Sequence, residues 1–482
     1  MGKRKLLIIT ALCTLCFRVT AETDSASTSL PDTTQLLLSY IENDYELKNL
    51  TIAAKKTQLS YDATKIDQGF DFTLASGSVT IKLSEDGTTV SAKPYATASL
   101  PQASNLSASV QTNVSYADDD ASFSDTSLSL GVDIISTSTL SNKISLLKAE
   151  RSVIEAERKL GKRVLAAEKE FYTELKSLLS TIDSIMSAKE DLYSDTLDFE
   201  AIKVQGYSKA SSTYRKAELK VITDQHTIES SLHSFIHDCI VFYKKCGYDI
   251  QVDENTDLMS LVPSDIEVSI PLNILDFEKE NYSSIESAKW TYKINSMERD
   301  THKSFSLSAS AGYTFDNSST SSDSVDAGLT GTIGGLSLGA GVSMPVGGTS
   351  NYPALTLSMS LSPNTFRKNS ISKKQDSLTE EQELLAIETA EIEYATTVVE
   401  TQQKLDSLLW EQKSIAENLS MYEQLEKDVS AMYKQGFTSE SDYLSAKTNV
   451  NSYIIKKVMN QIDLIMYNDD VVMNFIPLEE DK

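Results

Sequence analysis

His233 and His237, four residues apart with Cys239 beside them, are the first side chains in this 482-residue chain whose spacing suits chemistry. On a helix such a pair faces one way and is able to hold a zinc ion. No Glu completes a protease motif around them, so surface or seam histidines are the plainer expectation and no metal is assigned. Gly328 to Gly341 superficially resembles a nucleotide-binding loop, but its glycines alternate with Leu, Ile and Val and open no helix, which is the pattern of a strand. No Ser/His/Asp or paired-carboxylate constellation can be assembled. The expectation is a protein that is not an enzyme and carries no cofactor.

Two short turns are more specific. The first is Val204-Gln205-Gly206-Tyr207-Ser208, the second Lys434-Gln435-Gly436-Phe437-Thr438. Each places a Gly where one long helix stops, then an aromatic, then a hydroxyl residue able to cap the next helix. In the second, Ser441-Asp442-Tyr443-Leu444 and Ala446 follow; in the first, Ala217 comes one residue later than that spacing.

The elements that position these turns are long. Helices are expected over 142–203 and 209–245 in a first half, and over 379–433 and 439–467 in a second. Phe171, Leu175, Leu178, Ile182, Ile185 and Leu192 follow 4-3 spacing, as do Leu405, Leu408, Gln412, Ile415, Leu419 and Tyr422. These are coiled-coil seams, and they suit the walls of a helical tube as well as a plain antiparallel coiled coil. Each half opens on a shorter helix, Gln35 to Lys65 and Ile274 to Arg299, followed by a Ser/Thr/Gly-rich strand region at 70–136 and 304–363. There Phe305, Leu307, Ala309, Ala311, Tyr313 and Phe315 alternate with small polar residues, and Leu336 to Met344 and Leu355 to Leu361 do the same. Leu106 to Tyr116 and Leu128 to Ile134 repeat the pattern, with Glu85-Asp86-Gly87 as a hairpin turn. Strict alternation suits a strand between lipid and a wet lumen, or a soluble sheet with one buried face. The near absence of charge from these strands, in a chain otherwise rich in it, favours the barrel. The chain is thus expected to be internally duplicated: 22–250 as one repeat, 251–271 as a linker, 272–470 as the second repeat, and 471–482 as an acidic tail.

Lys3, Arg4 and Lys5, the apolar Leu6 to Phe17 and the small-residue site Val19-Thr20-Ala21 form a secretory signal peptide over 1–21. Its removal takes four of the 44 Lys+Arg and none of the 69 Asp+Glu, leaving a net charge of −29. Such a surface repels nucleic acid and anionic lipid. Beyond the signal no apolar run is long enough for a transmembrane helix, so contact with a membrane must be through closed strands. Cys239 and Cys246 are either a local disulfide at a helix end or two separate thiols.

This order of parts resembles the TolC-like outer-membrane efflux protein family over nearly the whole mature chain. The resemblance implies a membrane α+β fold: an outer-membrane β-barrel joined to a long periplasmic α-helical barrel of coiled coils, internally duplicated and homotrimeric. It also implies passive conduction of substrates in a tripartite efflux or type I secretion system. The partners implied are a periplasmic adaptor (membrane fusion) protein, an inner-membrane pump and outer-membrane lipid. Gly206, Tyr207, Ser208, Gly436, Phe437 and Thr438 match the adaptor-docking tip, Asp442 a pore-lining acid at the constriction, and Tyr433 an aromatic of the closing contacts. In a ring, mutual repulsion would raise the pKa of Asp442, although the residue fits a first-turn helix cap equally well. The chain departs from the family at Thr438, where the gate carries a basic residue, and at Ser212 and Ser445, where it carries acids. Each half also offers four strand-like segments where the family has two, so either long extracellular hairpins or a wider barrel of eight strands per copy is expected.

Overall fold

The computed structural model describes residues 32–84, 87–117, 120–301, 305–316, 322–333, 336–347 and 352–476. The signal peptide, most of the Glu85-Asp86-Gly87 turn and residues 477–482 lie outside them.

Alternating apolar and hydroxyl residues build one antiparallel sheet from both halves of the chain. The first half supplies β1 Asp71–Ala75, β2 Val79–Ser84, β3 Gly87–Ala92, β4 Tyr95–Leu100, β5 Leu106–Ala117 and β6 Asp120–Ile135. The second supplies β7 Phe305–Phe315, β8 Asp323–Ile333, β9 Leu336–Val346 and β10 Ala354–Leu361. The strands lie in the order β1-β4-β5-β6-β7-β8-β9-β10, with the β2–β3 hairpin off this path and attached through β3 to β5. Four strands of the path thus come from each half, and among the described residues the hairpin is an addition that the first half alone carries.

Helices continue directly from the sheet. The first half has α1 Thr33–Asn43, α2 Tyr45–Asp67, α3 Thr137–Val204 and α4 Ser212–Lys245; the second has α5 Ser283–Thr301, α6 Pro363–Lys434 and α7 Glu440–Asn474. At 68 and 72 residues, α3 and α6 each amount to roughly 100 Å of helix. The returning α4 and α7 are half that length, so α4 ends beside α1 and α7 ends beside the segment that leads into α5, partway along the long helices. There the main core forms: Phe171, Leu175, Leu179, Ile182 and Ile185 of α3 against Phe235, Cys239 and Phe242 of α4, and Ile455 and Ile462 of α7. A second core gathers Tyr282, Ile285, Leu408, Tyr467, Val471 and Phe475. Of the seam residues expected from their spacing, Phe171, Leu175, Leu178, Ile182, Ile185, Leu408 and Ile415 are buried, and Leu192, Leu405, Gln412, Leu419 and Tyr422 are half-buried.

Several boundaries differ from expectation. The expected Gln35–Lys65 helix is two, because the Asp44 side chain caps α2 by accepting from the backbone of Glu46 and Leu47 while Arg163 holds it at 2.6 Å. The second opening helix begins at Ser283, after two short 3-10 turns. Helix α6 starts at Pro363, well before residue 379. Residues 251–271 pack rather than merely link, with Leu258 and Ile266 in the main core. The acidic tail begins later than residue 471, since α7 runs to Asn474, Val471 is fully buried and Phe475 stacks on Phe277. Cys239 and Cys246 are separate buried thiols, pushed by burial up to about 11 and about 12. No described helix is long and apolar enough to cross a membrane.

Candidate functional site: the sheet faces and the two helix turns

Register turns the strand alternation into two continuous faces. Phe72, Ala98, Ala108, Leu130, Ala311, Ala327, Val342 and Leu355 stand in one cross-strand row from β1 to β10. One residue away, on the opposite face, the row is Thr73, Thr97, Ser109, Ser129, Gly312, Asp326 and Ser343. Hydroxyls on that polar face bond across strands, Ser109 to Ser129 at 2.6 Å, Ser115 to Ser122 at 2.7 Å and Ser306 to Thr332 at 2.6 Å. The apolar face is the uncovered one. Leu329, Val342 and Met344 are exposed in the middle of the sheet, and Leu357 and Met359 at its edge are 72% and 71% exposed. A soluble sheet turns its apolar face inward; this one turns it outward over the path, with β4 alone half-buried throughout.

At the far ends of the long helices stand the two turns. Gly206 and Gly436 adopt φ of +77° and +75°, the left-handed conformation that ends a helix at little cost only for glycine. In the second turn the Phe437 amide donates back to the Met432 carbonyl at 2.9 Å and the Gly436 amide to that of Tyr433 at 2.9 Å, closing a helix end with a left-handed residue. Tyr207 and Phe437 are left exposed, Phe437 at 79%. The hydroxyls after them do not cap the returning helices as expected. Ser211 caps α4 by accepting from Tyr214, and Ser439 caps α7 by accepting from Asp442. Ser208 instead accepts from the Ala210 amide within the loop.

Asp442 completes the second cap. Its carboxylate accepts from the Ser439 hydroxyl at 2.5 Å, the Thr438 hydroxyl at 3.0 Å and the Ser439 amide at 3.3 Å, a capping box. Those bonds, Ser439 first and Thr438 next, hold it below the usual carboxylate range within one chain. Tyr433 stacks parallel on Tyr443 at 5.3 Å, clamping α6 to α7 just behind the turn.

Three contacts were not foreseen. Tyr193 of α3 donates to Glu440 of α7 at 2.8 Å, so the two hairpins are tied near their tips. Phe199 and Tyr214 form an edge-to-face pair at 5.1 Å that closes the first tip. Lys220 reaches Asp195 at 2.5 Å, and a hydrogen bond with that same Asp195 pushes the Asp224 carboxyl upward. Spacing within one helix carries no sign of such pairs, because each joins two helices of unrelated register. His233 and His237 are exposed, and among the described residues no cluster of His, Cys, Asp and Glu fits a metal ion.

The TP096X N-terminal domain profile matches residues 36–266 and the TP096X C-terminal domain profile residues 268–478. No curated protein matches the chain by sequence. Among solved structures the chain is similar to the Neisseria gonorrhoeae MtrE outer membrane channel in its open state, at 13% identity and a TM-score of 0.47, over 94% of this chain and 95% of that one. It is similar to the Campylobacter jejuni CmeC outer membrane channel at 12% identity and a TM-score of 0.44, over 96% and 95%. It is also similar to the Vibrio cholerae outer membrane protein VceC at 11% identity and a TM-score of 0.46, over 92% and 95%.

Proposed function

Because this chain belongs to the TP096X family, whose N-terminal and C-terminal domains it carries in order, we propose that those domains together form an outer-membrane exit duct. The duct passively conducts substrates handed over by an inner-membrane pump and a periplasmic adaptor, in a tripartite efflux or type I secretion assembly. Its sheet lies in the outer membrane, its helices extend through the periplasm, and copies assemble as a homotrimer from an internally duplicated chain. The observation that carries this reading is the apolar face left bare on seven of the eight strands of the path, β4 being half-buried, and backed by a face of Ser, Thr and Gly. Lipid is the solvent that suits the first face, and a water-filled lumen suits the second.

The turns at Gly206 and Gly436 supply the other end. Tyr207 and Phe437, exposed on loops about 100 Å of helix from the sheet, offer aromatic anchors to an adaptor, with Ser208 and Thr438 beside them. Asp442 and Tyr433 sit just behind, where the duct narrows. A non-conducting structural or adhesive coiled coil of the envelope is the rival, and a bare lipid-facing sheet has no use in it. Purified protein in planar bilayers is expected to give discrete conductance steps. Folded assemblies that insert and never conduct would end the duct reading.

A further inference from the structure

Two helices carry apolar stripes that none of the described residues covers. On α2, Tyr45, Ile52, Leu59 and Ile66 recur every seven residues and are 55–81% exposed. On α6, Ile371, Leu378, Leu385, Ile392 and Val399 recur every seven residues and are 54–63% exposed. The opposite sides of both helices are already packed, α2 through Leu47 and α6 through Glu383 and Ala390. A heptad stripe is the seam of a coiled coil, and each of these lacks its partner.

Their place in the fold says what the partner is. Helix α2 runs into β1, and α6 runs out of β10, which are the two ends of the strand path; among the described residues each pairs on one side only. Eight alternating strands leave β1 and β10 antiparallel, so one copy's β10 can extend onto the next copy's β1 with regular pairing. The same step brings α6 of one copy, running away from the sheet, against α2 of the next, running toward it. We propose that these two stripes form the joint between copies of this chain, in the register Ile66–Ile371, Leu59–Leu378, Ile52–Leu385 and Tyr45–Ile392. The inference rests on the duct reading and names the surface that closes it.

Charge chooses that register. Between the first two apolar layers Asp62 faces Lys374; between the next, Lys55 and Lys56 face Glu381; between the last, Lys48 faces Glu388. All of these residues are exposed in the single copy. Sliding one heptad one way sets Asp62 beside Glu381, and sliding the other way sets Lys55 and Lys56 beside Lys374. Only the stated register opposes unlike charges in every layer. The joint is heterologous, one surface against a different one, and a closed barrel, which leaves no strand edge unpaired, makes its repetition a ring rather than a filament. Three copies bring roughly 24 strands on the main path, within the range of outer-membrane barrels.

Cysteines test it in the full-length protein. Leu59→Cys with Leu378→Cys in one chain is expected to link copies under mild oxidation into a covalent ring, while each single variant stays unlinked. Leu59→Cys with Leu385→Cys, one heptad off, is expected to link at least tenfold less. Lys56→Glu is expected to weaken assembly, read by native mass, and Glu381→Lys in the same chain to restore it. Assemblies of unchanged native mass in which the matched pair does not link would overturn the joint and leave the duct reading standing. Linked rings that never conduct would support the joint and count against the duct. Unchanged helical circular dichroism in each variant separates loss of assembly from loss of folding.

Discussion

Gly436 and Asp442 work on the same helix start from different sides. The glycine supplies a backbone conformation that any Cβ strains, while the aspartate satisfies amides and hydroxyls at the head of α7. Gly436→Ala meets no neighbouring atom, so its cost is the left-handed φ alone, about 1 kcal/mol. It is expected to loosen the turn without unfolding the chain, seen as faster amide exchange over Met432 to Ser439. The aspartate adds a pH dependence whose sign follows from its lowered pKa. A carboxylate held below its unfolded value contributes stability that is present above that unfolded value and fades as pH falls through the folded one. Protection factors at the start of α7, taken relative to the intrinsic exchange rate at each pH, should therefore fall in acid, and Asp442→Asn should lower them at neutral pH as well. An equal pH response in wild type and Asp442→Asn would remove the cap from the explanation. The turn glycines were legible because nothing else ends a long helix so cheaply. The capping hydroxyls were misplaced by one to three residues, because Ser and Thr crowd both loops and only geometry selects Ser211 and Ser439.

Elements are held to one another by charge where the apolar seams run out. On α3, Arg151 and Arg158 grip Glu286 of α5, Arg151 reaching Oε2 at 2.7 Å and Arg158 at 2.9 Å. Burial alone would raise the Glu286 pKa, but the hydrogen bonds from Arg151 and then Arg158 outweigh it and leave it lowered. Its stabilisation is thus full above the unfolded pKa of a glutamate and is lost as pH falls through the lower folded value. Glu286→Gln is expected to weaken the docking of α5 by about 1–2 kcal/mol, between the values of surface and buried pairs. Denaturant melts should show that loss at pH 7 and a much smaller one well below pH 4; a loss independent of pH would mean packing rather than charge. How legible each element was depended on what buries it. Phe171 to Ile185 was read correctly because its 4-3 spacing is the core itself. The start of α6 was missed because Arg367 to Lys374 offers no inward apolar period, only the outward stripe that begins at Ile371. The break at Asp44 was missed because apolar residues continue on both sides of it, and one capping carboxylate divides the helix.

At the scale of the whole molecule, an inside-out sheet and a net negative exterior meet at the ends of the strands, and the chain is coherent only if the two halves of its surface meet different solvents. Leu329 and Thr330 are adjacent on β8 and face opposite ways, so they put the same substitution into each solvent. An Arg on the lipid face near the bilayer midplane costs about 2–4 kcal/mol, whereas one in a wet lumen costs little. Leu329→Arg is therefore expected to lower the yield of membrane-inserted protein and to slow folding into lipid vesicles. Thr330→Arg is expected to insert as wild type does and to shift conductance toward anions, because it adds positive charge to the polar face that already holds Asp133 and Asp326. Equal loss of insertion from both would mean that neither face meets water and that the sheet is buried by something else. The alternation that predicts this was plain in the sequence. Which face is bare was not, since a soluble sheet alternates identically, and only the register of eight strands with no helix laid over their apolar side separates the two.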